Sequence, residues 1–383
     1  MFLLGLVSLC TDASSEMVYP LIPLFLAQTL KAPVAVIGVI EGLAEATASL
    51  LKGFSGWFSD RVGRRKPLVV MGYGLAAVSK PLLALAAGWP LVLAARVLDR
   101  FGKGLRGAPR DALIADSSSP ELRGRAFGFH RSADQIGAVA GPLLALPLLA
   151  AFQHDYRALF VAAFLPAALG VALLKVVRET RRPAARSTAP AGALKLAEAP
   201  RFRRFLFVML LFALGNSSDV FLILRARQLG FSSGRIVLLF AAFNLLYVLS
   251  AYPAGELSDR CGRPRLLAAG LGLFAVVYLG FGIAPAGGWL WLLYPVYGLY
   301  MGLTDGVSRA LVVDLVPQEQ RATALGIYSM AVGLAAFVAS ALAGWLWQWL
   351  GPPAPFLWGA ALAALAAALV VSCSASLSPT RTR

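Results

Sequence analysis

Long apolar runs, cut by short polar or Pro/Gly clusters, follow one another from one end of this chain to the other. A helix that crosses a bilayer needs about 20 such residues, and the pattern predicts twelve of them. Their approximate limits are 2–27, 36–57, 67–87, 89–112, 124–150, 157–177, 204–223, 234–256, 266–286, 288–313, 323–348 and 354–375. Nothing basic precedes Phe2, and the first run meets Asp12 and Glu16 without a small-residue cleavage site. A membrane span is therefore expected there rather than a removable leader. The predicted class is an all-α integral membrane protein with twelve transmembrane helices.

Composition sharpens this picture. Of 383 residues 58% are apolar and 14% charged, with a mean hydropathy of +0.72. A soluble domain runs about 45–50% apolar and roughly a quarter charged, so a water-soluble enzyme does not fit. The net charge of +16 would suggest nucleic acid in a soluble chain. Here the basic residues sit in short clusters between apolar runs, so the lipid bilayer is the expected partner and nucleic acid is not. Lys and Arg concentrate in alternate loops, while the opposite loops hold only Lys31, Arg157, Arg225, Arg227 and Arg235. With an even number of spans, that bias places both termini in the cytoplasm of a cell (inner) membrane protein. Cys10, Cys261 and Cys373 match no metal spacing, and His130 and His154 are too few for a histidine site. No phosphate-binding loop occurs, and no nucleophile–base constellation. Neither a cofactor, a metal nor an enzymatic reaction is expected.

A Pro-, Ala- and Arg-rich stretch, Thr180–Pro200, divides the chain near its middle and reads as a linker. The expected organisation is a six-helix bundle over 1–178, a cytoplasmic linker over 179–203, a second bundle over 204–376 and a tail over 377–383. The halves repeat, as four matches at a spacing of about 200 residues indicate, which is the architecture of transporters that rock two parallel halves about a central site. Gly56, Asp60, Arg61, Gly63, Arg64 and Arg65 recur in weaker form as Gly255, Asp259, Arg260, Gly262 and Arg263. Asp111–Asp116 recurs as Arg309–Asp314, Arg123 and Gly128 recur as Arg321 and Gly326, and Ser14-Ser15-Glu16 is echoed by Ser217-Ser218-Asp219.

On these residues the chain resembles the major facilitator superfamily over essentially its whole length. The stretch from Gly56 to Arg65 fits that family's G-x-x-x-D-R-x-G-R-[RK] loop, and the resemblance implies that it latches one conformation, with Asp259 and Arg260 in the second copy. Span four, from Arg96 to Gly104, is similar to the family's R-x-x-x-x-x-G-x-G pattern, although Asp99 and Arg100 depart from what its antiporters carry. Span five, with Gly128, Gly137, Gly141 and Pro142, resembles the antiporter motif of proton-coupled exporters, Ala145 replacing its last glycine. Small residues there allow close helix packing.

Ionisable residues inside spans are costly and read as functional by default. Span four carries Arg96, Asp99, Arg100, Lys103 and Arg106, and the helical spacing pairs Asp99 with Arg96 and with Lys103. Either an anion-binding wall or a lattice of salt bridges joining spans one, two, four and five would account for them. Asp12 and Glu16 share a face of span one, as Glu41 and Glu45 do in span two. Carboxylates so close do not both ionise easily in a poor dielectric, which suits them to carry protons. The expected proton-coupling set is Asp12, Glu16, Glu45, Asp134 and Asp219. His130, Arg131, Asn216, Asn244, Asp305 and Arg309 join the span-four charges as cavity candidates, with Tyr19, Phe129, Tyr247, Tyr297 and Tyr300 as aromatic ones. The function expected is alternating-access, proton-coupled export of a small organic compound by a monomer. Uptake of an anionic metabolite, or a non-transporting sensor on the same fold, are the alternatives.

Overall fold

The computed structural model describes residues 2–62, 65–116, 123–177, 199–316 and 321–374. Among them every regular element is helical. In chain order the helices are α1 (Phe2–Val18), α2 (Val34–Val62), α3 (Lys66–Ala84), α4 (Trp89–Asp116), α5 (Arg123–Ala151) and α6 (Tyr156–Leu174). After the linker come α7 (Pro200–Gly215), α8 (Val220–Gln228), α9 (Ser233–Cys261), α10 (Arg263–Ile283), α11 (Leu290–Asp314), α12 (Arg321–Leu350) and α13 (Ala354–Ser372).

Two spans read as continuous in the sequence are interrupted. Span one leaves regular geometry after Val18, where Pro20 and Pro23 withdraw backbone donors. It continues as a 3-10 turn (Tyr19–Leu21), a short α turn (Ile22–Leu24) and a π turn (Phe25–Thr29). Span seven breaks between Gly215 and Val220: Asn216 leaves helical geometry at φ −89° and ψ 80°, and the helix resumes after Asp219, whose side chain makes no capping bond to it. Among the described residues, nine helical stretches are long and apolar enough to cross a membrane. Predicted spans one, four and ten fall outside that set. The regular part of α1 is only 17 residues, α4 carries too many charges, and Tyr294, Tyr297, Tyr300 and Asp305 dilute the apolar character of α11.

The described residues group into two compact units, one within Met1–Pro33, Leu43–Ser187 and Ser232–Ala241, the other within Val34–Gly42, Thr188–Phe231 and Ala242–Arg383. In the first unit α1 packs on α5 and α6, and α3 packs on α4 and α6. In the second, α7 packs on α12 and α13, and α10 packs on α11 and α13. These are the same pairings, helix for helix, as a duplicated six-span ancestor would leave. The first unit has a buried cluster of Leu4, Val7, Val69, Tyr73, Leu113, Ile114, Leu174 and Val177. The second is more aromatic: Phe274 stacks on Tyr278 at 3.9 Å between ring centres, and Phe281 lies 5.6 Å from Phe356.

Some basic side chains cap helices. Arg157 donates to the carbonyls of Ala84 and Ala86 (3.1 and 2.8 Å) at the end of α3. Arg225 does the same at the end of α10, donating to Phe281 and Gly282 (3.0 and 3.2 Å). Cations there satisfy orphan carbonyls and oppose the helix dipole. Two of the five basic residues outside the positive-rich loops therefore have a structural use in both copies of the repeat.

Candidate functional site

The helix α4 is the axis of the site because its charges have no counterpart in a lipid-facing helix. Arg96, Asp99, Arg100, Lys103 and Arg106 recur every three or four residues and so share one broad face. That face meets α1, and Asp12, Ser15, Glu16, Tyr19, Arg96, Asp99, Arg100, Lys103 and Arg106 line a common cavity. The cavity is small and opens to solvent at its mouth. Both walls belong to the first unit.

The ion pairing within this cluster is specific. Lys80 of α3, only 2% exposed, places its ammonium 2.8 Å from Asp99 Oδ1 and donates to Ser15 Oγ at 3.2 Å. Arg96 approaches Asp99 Oδ2 at 3.7 Å, and Arg100 reaches Glu45 of α2 at 3.0 Å. The local spacing that pairs Asp99 with Lys103 is not used among the described residues; Asp99 turns to Lys80 instead. Lys80 stands alone in an apolar run, which is itself a signal, but nothing along the chain assigns its partner. The lattice thus joins α2, α3 and α4, with α1 facing it. Arg96 and Arg100 also stand over the ring of Tyr19, at 5.4 and 5.9 Å from its centre. The other face of that residue's surroundings includes Phe240, 5.4 Å away.

The helix α5 also approaches α1 closely, at two glycines. A Cβ added to Gly137 would stand 2.7 Å from the Leu9 carbonyl oxygen, and one added to Gly141 would stand 2.6 Å from that of Ala13. Gly141 also sits against Cβ of Glu16, so this contact sets the depth of the acidic face. Pro142 lies within α5 beside it. His130 Nε2 lies 3.5 Å from Asp134 Oδ1, one turn on. The charges acting on Asp12 include Asp134 from α5 and Arg106, Lys103 and Arg110 from α4. Arg110 itself pairs with Asp111 at 2.9 Å. Phe129 is not part of the cavity; it stacks on Phe2 at 5.9 Å.

The second unit holds a sparser polar group. Asp219, at the break between α7 and α8, accepts a hydrogen bond from Tyr297 at 2.7 Å, and Asn216 Nδ2 donates to Tyr300 at 3.4 Å. Tyr247 donates to Asp305 at 3.0 Å, and Arg309 pairs with Asp305 at 2.8 Å. Asn244 is buried, its Nδ2 without a hydrogen-bond partner among the described residues. Asp219 is thus the carboxylate bonded to a cluster of tyrosines, in which Tyr297 packs against the rings of Tyr278 and Tyr300, a setting that sequence spacing alone does not convey.

The loop motif is visible in its second copy. Arg263 bridges Asp259, at 3.2 Å, and Asp314, while Arg260 is exposed. In the first copy the side chains of Gly56, Asp60, Arg61, Gly63 and Arg64 lie outside the described residues, as do Gly128 and the side chain of Arg131; Arg65 is described and half-buried. No group of His, Cys, Asp and Glu suited to a metal occurs among the described residues.

Comparison with known proteins places this geometry in context. The sequence profile of the Major Facilitator Superfamily matches residues 4–224 and 205–382. An uncharacterized MFS-type transporter of Methanocaldococcus jannaschii is 33% identical over 97% of this chain and 94% of its own length. A multidrug resistance protein, MdtH, of Edwardsiella ictaluri is 25% identical over 86% of this chain and 82% of its own. Among solved structures, the nucleoside transporter NupG superposes with a TM-score of 0.82 at 15% identity, covering 97% of this chain and 98% of that one. At that identity the likeness is one of fold.

Proposed function

The chain belongs to the major facilitator superfamily, and from that premise we propose that it is a secondary transporter that exports a small organic compound in exchange for protons. The observation that carries this reading is the pair Asp12 and Glu16, one turn apart on α1 and lining the same charged cavity as Arg96, Lys103 and Arg106. Carboxyls in such a setting can take and release protons as the surrounding charge changes. Asp12 and Glu16 are the first-choice proton carriers, with Glu45, Asp134 and Asp219 as further members of the relay. The likeness to a multidrug resistance protein and the glycine contact of α5 on α1 support the export direction.

The rest of the proposal concerns arrangement. Twelve spans cross the cell membrane with both termini in the cytoplasm, as the distribution of Lys and Arg suggests. The monomer works by alternating access of its 1–178 and 204–376 halves. The loop from Gly56 to Arg65 and its copy at Asp259 and Arg260 serve as latches.

The test begins with a thermal-shift screen of small molecules on the purified protein. A stabilising compound is then followed into proteoliposomes with and without a pH gradient. Gradient-dependent transport that a protonophore abolishes, and that Asp12→Asn uncouples, is the expected result. Equal transport with the gradient collapsed overturns proton drive.

A further inference from the structure

We propose that the cavity between α1 and α4 recognises an oxyanion, a carboxylate or phosphoryl group carried by the substrate, and that Arg106 receives it with Lys103. This rests on the transporter reading only in making the occupant of the cavity a transported molecule.

The first observation is a cation left over. Lys80, Arg96, Arg100, Lys103 and Arg106 gather around Asp12, Glu16, Glu45 and Asp99. Lys80 and Arg96 are engaged by Asp99, and Arg100 by Glu45. Arg106 is 95% removed from solvent at 5% exposure, lines the cavity, and has Nη1 without a hydrogen-bond partner among the described residues. No described carboxylate lies within ion-pair distance of it; Asp12 acts on it from farther away. Its close neighbour is the ring of Tyr73, 4.3 Å from the guanidinium carbon. A ring face attracts a cation but does not accept its in-plane N–H bonds. A buried guanidinium with an unused donor is costly, and a planar oxyanion is the group its geometry fits best.

The second observation is position. Lys103 stands one turn before Arg106 on the same face of α4 and is exposed into the same cavity. An oxyanion between the two would meet a fixed planar donor and a mobile ammonium. The third observation argues against a cationic occupant. Tyr19, the aromatic ring of this cavity, already has the guanidinium groups of Arg96 and Arg100 over it. The usual platform for an organic cation is therefore occupied by the protein's own charges.

The experiment uses the full-length protein in detergent, with no gradient, so that recognition and proton drive are read separately. Inorganic phosphate, glycerol 3-phosphate, acetate and benzoate are titrated against sodium chloride of equal ionic strength, with tetraphenylphosphonium as the cationic probe. Binding is followed by melting temperature and by calorimetry. At least one oxyanion should bind beyond the chloride control, and Arg106→Gln should weaken it about tenfold or more. Lys103→Gln should weaken it less, and Arg203→Gln, an exposed residue in the first turn of α7, should leave it unchanged. Preference among the probes tells carboxylate from phosphoryl. If Arg106→Gln does not fold, the loss in Lys103→Gln decides. The proposal is overturned if no oxyanion binds up to about 10 mM, if binding survives both cavity substitutions, or if tetraphenylphosphonium binds and Arg106→Gln tightens it.

Discussion

Asp99 holds two cations in a place with almost no solvent. Lys80 is 2% and Arg96 4% exposed, and Asp99 Oδ1 also receives the Ser79 hydroxyl at 3.4 Å. Removing one partner of a buried pair leaves the other charge uncompensated, which costs about 3–5 kcal/mol, whereas removing both costs far less. Asp99→Asn should therefore lower the melting temperature of the purified protein substantially. Adding Lys80→Met to it should recover part of the loss, because the ammonium left uncompensated is then gone. A melting temperature for Asp99→Asn equal to that of the parent would mean that the carboxylate is not what neutralises Lys80. At this scale the members of the site were legible in the sequence, because each of Asp12, Glu16, Arg96, Asp99, Lys103 and Arg106 is a charge inside an apolar run and such charges are expensive. Their partners were not. Helical spacing reports only neighbours within one helix, so it offers Asp99 to Lys103, while the helix crossing of α3 on α4 brings Lys80 to it instead.

Helix crossings depend on what the facing surfaces lack. A Cβ on Gly72 of α3 would stand 2.6 Å from the Gly102 carbonyl oxygen of α4, and Gly141 of α5 makes the equivalent approach to α1. In both cases the obstacle is backbone, which cannot rotate away. Gly141→Ala should push α5 from α1 and cost about 1–3 kcal/mol, the usual penalty for overpacking. Gly74→Ala, on α3 with nothing within 4 Å of the added carbon, should be neutral or stabilise by about 0.5–1 kcal/mol, since alanine is the better helix former. Melting temperatures of the two variants, measured side by side, check this; a Gly141→Ala protein as stable as Gly74→Ala would show that the close approach is not maintained. The helices themselves were legible in the sequence, their order and approximate limits following from run length. Their interruptions were legible only in part. Pro20 and Pro23 announce the irregular end of span one, but at the break Asn216 donates to Tyr300 and Asp219 accepts from Tyr297, contacts far away in sequence.

For the whole molecule, the proposed duplication carries a prediction of sidedness. Matching pairings in the two units, α3 with α4 and α6 and then α10 with α11 and α13, require that corresponding loops emerge on the same side if the halves are parallel repeats. The native cysteines test this without any engineered label. Cys261 ends α9, Cys373 follows α13, and both are partly exposed, whereas Cys10 is buried in α1. Four helices, α10 to α13, separate Cys261 from Cys373, so the two must share a side of the membrane if each of the four crosses it. Which side is a separate matter of charge: Arg260, Arg263 and Arg265 flank Cys261, and Arg381 and Arg383 follow Cys373, a bias that holds such segments in the cytoplasm. A membrane-impermeant maleimide applied to intact cells should therefore leave both unmodified, and permeabilisation should expose both together. Cys10 should react only after denaturation. Modification of one but not the other in intact cells would break the four-span count, and modification of both there would keep the count but reverse the orientation. The cavity of Arg106 and Asp12 would survive the second result but its direction of transport would not, because the ion gradient would then face the opposite mouth.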